Sequence, residues 1–216
     1  MIGIVSEQPP GYGSFELTFP FGLVSLQASV ERKSALQAKV TEHLPDYKFL
    51  LSGDVSVEVE WRIRERSRYE SAHTTDIDNT LKPLIDALTG PTGIMINDTQ
   101  LQHVACSWID WTREKDEIQV RFRFSPDEYL PKDGLAFVRM PDSPLCFPYN
   151  EKLPPEHARA LLDFLENGWT IHRRGLEVGV PDEISRYVLP AQRFFHGAHL
   201  KQFKVLSLGQ ARAALA

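Results

Sequence analysis

Asp54-Val55-Ser56-Val57-Glu58-Val59-Glu60-Trp61-Arg62-Ile63-Arg64 alternates apolar and polar residues without a break. Val55, Val57, Val59, Trp61 and Ile63 share one side; Ser56, Glu58, Glu60, Arg62 and Arg64 share the other. A period of two is that of a β-strand with one face on a core. Working outward, Phe15–Phe19 alternates in the same way and predicts a strand. Ser29–Leu44 is rich in helix formers, with Val30, Ala35, Leu36, Val40 and Leu44 in helical register. Thr80–Leu88 predicts a short helix with Leu81, Leu84, Ile85 and Leu88 on one stripe and Gly90 as its stop. Leu101–Trp111 and Glu117–Phe124 read as two more strands, joined by a loop over Thr112–Asp116. The order β-α-β-α-β-β predicts an α/β (α+β) core over residues 1–125.

Residues 126–216 read differently. Pro126, Pro131, Pro141, Pro144, Pro148, Pro154 and Pro155 punctuate the start, which predicts a linker or an irregular wrap. Pro155–Asn167 predicts a helix stopped at Gly168, and Glu183–Phe195 a helical stretch broken at Pro190. We therefore expect a mostly irregular and helical C-terminal extension.

The charge divides with the organisation. Residues 1–125 carry 13 basic and 18 acidic side chains, residues 126–216 carry 11 of each, and the chain is −5 overall. That balance argues against a protein that coats nucleic acid non-specifically, but leaves room for a local basic patch. No apolar run reaches the roughly 18–20 residues of a membrane helix. The first residues lack the basic-then-apolar pattern of a secretory signal. The expectation is a cytoplasmic protein with no membrane partner, in which Cys106 and Cys146 are reduced thiols.

The chemistry concentrates in Asp76-Ile77-Asp78-Asn79-Thr80-Leu81-Lys82 and in Asn97-Asp98 beyond the glycine turn. In extended chain, Asp76 and Asp78 point the same way. Two converging carboxylates repel unless a hard cation relieves them. Mg²⁺ suits such a site, since it takes one or two carboxylates and fills its shell with water and phosphate. Asp98 is a third acid that can return to the site, and Lys82 stands four residues after Asp78, one helical turn on. The bland alternative is an N-cap and an Asp78–Lys82 ion pair, with Asp86 a further ion-pair partner. Upstream, Arg62, Arg64, Arg66 and Arg68 recur at every second position. If extended, they share one face suited to phosphate contacts; the alternative is a solvated strand face balanced by Glu58, Glu60 and Glu65.

These residues resemble the RusA family of Holliday-junction resolvases. The resemblance lies in Asp76-Ile77-Asp78-Asn79, then Lys82, then Asp86-Ala87-Leu88, then a glycine turn and Asn97-Asp98 followed by Gln100. It is specific over residues 76–100 and extends in element order over about residues 15–124. It implies a mixed-sheet core and Mg²⁺ (with Mn²⁺ as a substitute) on Asp76, Asp78 and Asp98. Lys82 would be the catalytic lysine, Arg62, Arg64, Arg66 and Arg68 would contact DNA, and the chain would be a homodimer. The implied activity is hydrolytic nicking of branched DNA in recombination or repair. Three departures stand out. Asn97 occupies the place of the first acid of the family's pair, the Gly90–Gly93 turn is one residue longer, and about 90 residues follow the core. The alternative is a catalytically silent RusA-like scaffold that binds DNA, or a protein partner, through residues 126–216.

Other arrangements carry less. His73 and His103 are the histidines nearest the acids in sequence. His196 and His199 make half a metal site at most. Thr89–Gly93 lacks the Gly-Lys-Ser/Thr of a phosphate loop. Neither cysteine sits in a nucleophile motif.

Overall fold

The alternation over residues 54–64 becomes the strand around which the first part of the molecule is built. The computed structural model describes residues 6–44, 46–70 and 76–215, the side chains of Ser67 and Arg68 excepted. It divides into two compact units, Met1–Pro131 and Lys132–Ala216.

The first unit runs β1 (Ser14–Phe19), α1 (Val30–Glu42), β2 (Phe49–Leu51), β3 (Val55–Arg64), α2 (Glu65–Tyr69), α3 (Ile77–Ala87), β4 (Leu101–Trp111), β5 (Glu117–Phe124) and β6 (Tyr129–Pro131). Four strands form one sheet in the order β1-β5-β3-β4. β3 lies antiparallel to β5 and parallel to β4, so the sheet is mixed, as expected. A parallel pair needs a long crossover, and α3 sits in it.

The strand faces follow the sequence pattern. Val55, Val57, Val59, Trp61 and Ile63 are all buried, in one core with Leu36 and Val40 of α1 and with Leu84, Ile85 and Leu88 at α3. The other side of the sheet is polar. Arg121 pairs with Glu16 and Glu58, and Arg123 with Glu58, across neighbouring strands. Exposed pairs of this kind contribute little. The apolar face is therefore what holds the sheet to its helices.

Three local features depart from the sequence reading. β2 is only three residues long, too short to show a period, and it pairs with β6. That pairing keeps residues 126–131 with the first unit. The chain after Arg64 turns at once into α2, so the alternate spacing of the arginines is not carried on in a strand. α3 begins at Ile77 rather than Thr80, because extended Asp76 (φ −65°, ψ 154°) is already its N-cap. Pro83 lies inside this helix and lacks the N–H that would bond the Asn79 carbonyl. That carbonyl instead accepts from the Leu26 N–H at 2.5 Å, which ties the β1–α1 connection to the first turn of α3.

The second unit contains β7 (Leu135–Arg139), β8 (Leu145–Asn150), α4 (Pro155–Glu177), α5 (Asp182–Ser185), β9 (Phe195–His196), β10 (Val205–Ser207) and α6 (Leu208–Ala213). Its strands form a second sheet, β10-β7-β8-β9. The proline-rich stretch is thus not an irregular wrap. β9 pairs only with Leu145 and Cys146, so Pro148 lies where β8 has no strand on that side and a missing N–H there costs no ladder bond. Ala158, Leu162, Leu165 and Trp169 of α4 are buried against this unit's core.

α4 also runs well past the predicted stop, for 23 residues. Gly168 is in mid-helix because a Cβ there would stand 2.6 Å from the Val188 carbonyl oxygen. Its smallness serves close packing, not termination. Cys106 and Cys146 are free thiols. Among the described residues, no helix is long and apolar enough to cross a membrane.

Candidate active site

α3 turns Leu84, Ile85 and Leu88 to the core, which leaves its other side to polar residues. Asp78, Lys82 and Asp86 follow one another at four-residue steps, so they form a column along one face. The chain leaves the helix at Leu88. Gly90, at φ +90°, makes a turn that a side chain would strain. The chain then returns through turns and an isolated bridge at Met95 and brings Asp98 to the column. Lys82 Nζ donates to Asp86 Oδ1 at 2.6 Å and to Asp98 Oδ2 at 2.7 Å. The second of these joins residues 16 apart in sequence, so it is a product of the fold. The longer turn does not keep Asp98 from the column.

Burial acts to lower the Lys82 ammonium. The hydrogen bonds and charges of Asp86 and Asp98 outweigh it and hold the group above its ordinary value. Lys82 is therefore cationic throughout the neutral range. It is also accessible, with 46% of its side chain exposed.

Asn97 and Gln100 hold the loop that carries Asp98. The Asn97 side chain accepts from the Thr99 N–H at 2.9 Å. Gln100 completes a capping box and is fully buried. Its Oε1 accepts from the Ile96 and Asn97 N–H groups at 2.8 and 2.9 Å. Its Nε2 donates to the Leu51 and Gly53 carbonyls at 2.9 and 2.8 Å. One amide thus fixes the approach to Asp98 onto the end of β2. The residue in the place of the family's first acid is a capping residue here. Gln100 drew no role from the sequence, although Asn-x-x-Gln is a recognisable capping signature.

Asp76 and Asp78 are exposed at the start of α3. They do not lie side by side on an extended segment, because Asp78 is already within the first helical turn. The Asp76 side chain makes no capping bond to the helix. Among the described residues, no three His, Cys, Asp or Glu side chains gather closely enough to enclose a metal ion. Asp98 is bonded to Lys82, and Asp76 and Asp78 are exposed hard-oxygen donors at the start of the same helix. That donor set suits Mg²⁺ in an open site completed by a substrate phosphate, the way this ion is commonly held.

The arginines separate. Arg62 is bound by Glu117 at 2.6 Å and Glu60 at 3.1 Å, also bonds Gln119, and lies over the Trp111 ring. Arg64 ends β3 with an exposed side chain, and Arg66 is exposed in α2. Arg68 lies in α2, and its side chain is outside the described residues. The alternation does not continue as one extended face, because the chain is helical from Glu65 onward. His103 is exposed in β4; His73 lies outside the described residues. The rings of His196 and His199 stand 5.7 Å apart in the second unit.

Residues 27–123 match the family model described as Endodeoxyribonuclease RusA. The matched stretch spans α1 to β5 and includes Asp76, Asp78, Lys82 and Asp98. No curated protein gives a significant match to the chain.

Proposed function

Because residues 27–123 match the RusA endodeoxyribonuclease family model, we propose that the protein is a Mg²⁺-dependent, structure-selective endonuclease. It nicks Holliday junctions or related branched DNA by hydrolysis, as a homodimer, in recombination or repair. The observation that carries this reading is the pairing of Lys82 with Asp98 on an accessible face, with Asp78 one turn away.

Asp76, Asp78 and Asp98 would hold the divalent ion, which when bound supplies Lewis-acid neutralisation of the phosphate. Lys82 is held charged by its two carboxylates and can turn to an arriving phosphate. There it offsets the negative charge that develops at phosphorus and at the leaving 3′ oxygen. Asp86 keeps Lys82 aimed while Asp98 is engaged. Arg64 and Arg66 are accessible cations that can hold flanking phosphates and so set the register of the strand. Arg62 supports Trp111 and Glu117 from within the same surface.

The test is incubation of the protein with an end-labelled four-way junction, a duplex and a single strand, each with Mg²⁺ and with EDTA. Paired nicks in the junction that need the metal are expected. Asp78→Asn should abolish cutting and bind the junction at least as tightly, since it removes negative charge. Cleavage by that variant at the wild-type rate would overturn the assignment. Junction binding without cleavage by the unmodified protein would establish instead the silent scaffold, a reading that the capping use of Asn97 favours.

A further inference from the structure

The second unit lies beyond the matched endonuclease stretch, which ends at residue 123. Its long helix α4 turns Ala158, Leu162, Leu165, Trp169 and His172 inward. Phe164, Ile171 and Val178 recur at seven-residue steps on another face, and all three are exposed. Seven residues are close to two helical turns, so these side chains form one stripe along the helix.

Gly168 and Gly175 stand four residues after Phe164 and Ile171 and border the stripe on one side. A Cβ on Gly168 would stand 2.6 Å from the Val188 carbonyl oxygen, and one on Gly175 would stand 2.9 Å from Ser185 Oγ. The two glycines thus let residues 185–188 lie directly against the helix, beside the stripe. Ile184 and Tyr187, in and next to that segment, are exposed as well. The five large apolar side chains are 51–85% exposed, which amounts to about 300–600 Å² of apolar surface. Two such faces supply about 600–1,200 Å². A standard interface buries roughly 1,200–2,000 Å² in all and takes a little over half of it from apolar atoms. The face is therefore the size of one half of an ordinary symmetric interface.

Asn167 and Arg174 stand three residues after Phe164 and Ile171 and border the stripe on its other side. Both are exposed, and among the described residues neither side chain has a hydrogen-bond or ion-pair partner. The spacing is its own complement. Let a second copy lay its stripe on this one, antiparallel, about a two-fold axis at Ile171. Ile171 then meets Ile171 of the copy, and Phe164 meets Val178, the bulkiest group against the smallest. The same axis brings Arg174 level with residue 168 of the copy, one rise of about 1.5 Å from Asn167. The Asn167 side-chain carbonyl can accept from that guanidinium, and symmetry makes the bond twice. The antiparallel course also sets each helix's positive end beside the other's negative end.

We propose that α4 is a contact between two copies of this chain, an antiparallel helix pair centred on Ile171. The proposal rests on the homodimer of the proposed function for its stoichiometry and names the surface on which the copies meet.

Sedimentation of the full chain at micromolar concentration tests the contact, and a dimer is expected. Ile171→Asp changes an exposed side chain, and circular dichroism with a thermal melt checks its fold. It should weaken association by about thirtyfold or more, as loss of an interface anchor does. Cross-linking under mild oxidation, with the unmodified chain as control, tests the orientation. Ile171→Cys should form a disulfide-linked dimer. Phe164→Cys and Val178→Cys should cross-link when the two are mixed and far less when either is alone, since each lies about 21 Å along the helix from its own copy. If Ile171→Asp fails to fold, the cross-links still decide. A monomer would overturn both this contact and the homodimer. A dimer that folded Ile171→Asp leaves intact, or that Ile171→Cys does not cross-link, would overturn the contact and leave the homodimer standing. Self-cross-linking of Phe164→Cys as efficient as the mixed reaction would overturn the antiparallel pair.

Discussion

Replacing Gln100 with methionine keeps nearly the same volume but removes four hydrogen bonds in a fully buried place. The Ile96 and Asn97 N–H groups then have no side-chain acceptor, and the Leu51 and Gly53 carbonyls lose a donor. Each orphaned buried group costs about 1–3 kcal/mol. The two N–H groups alone imply a loss of about 2–6 kcal/mol, against the roughly 5–15 kcal/mol that holds a typical domain. Urea unfolding should show a large fall in midpoint with an unchanged slope. Junction cleavage should fall in the fraction that remains folded, because the loop carrying Asp98 is no longer fixed against β2. Gln100→Glu sharpens the argument. Its carboxylate can still accept from the two N–H groups, but it faces the two carbonyls with no proton to offer. Folding therefore favours its protonated form and raises its pKa above the unfolded value. The stability of this variant should be greatest at acid pH and should fall as pH rises through the carboxylate range. A Gln100→Met variant that loses less than about 1 kcal/mol, or a Gln100→Glu variant with the pH profile of the unmodified protein, would refute the reasoning.

Three further outcomes follow from the same geometry. Lys82→Ala should reduce cleavage by about 10²–10³-fold, as loss of a charge-stabilising group does, while the melting temperature barely moves, since its partners are solvent-exposed. The raised lysine makes its ion pairs fully present below the ordinary lysine range and lost only as pH climbs through its higher folded value. A decline in activity between pH 7 and 9 that Lys82→Arg abolished would contradict that assignment. Gly168→Ala should destabilise the second unit by about 1–3 kcal/mol, the usual cost of overpacking, because its Cβ would meet the Val188 carbonyl at 2.6 Å; a neutral change would show that α4 can shift away. Burial pushes the Cys106 thiol up to about 11, so alkylation at pH 8 should be slow until urea unfolds the chain. Labelling at the rate of a free peptide thiol would refute that.

How much was legible depended on whether the deciding contacts were local. The alternation of Val55–Ile63 and of Ile118–Phe122 predicts which side chains enter the core, because a strand's period is set by its own backbone. The column of Asp78, Lys82 and Asp86 is likewise written in four-residue steps. The stretch after Arg64 has no such record. Extended and helical spacing of the arginines are equally consistent with their order, and the chain adopts the helix. The proline-rich segment hid β7 and β8, because strands of five or six residues with buried faces show little alternation and proline suggests their absence. Gly168 was misleading for a similar reason. A glycine that permits close packing and one that ends a helix are the same letter.

By itself, the sequence determined the periodicities, the acids and the lysine, and with them the core faces and the RusA-like order of elements. Only the tertiary structure decided that β3 lies parallel to β4 and that Lys82 meets Asp98 across 16 residues. It also decided that Gln100 ties that loop to the end of β2. The reason is physical. Spacing along a chain records the geometry of one helix or one strand, whereas a hydrogen bond or ion pair between distant segments exists only once packing has brought their atoms within about 3 Å.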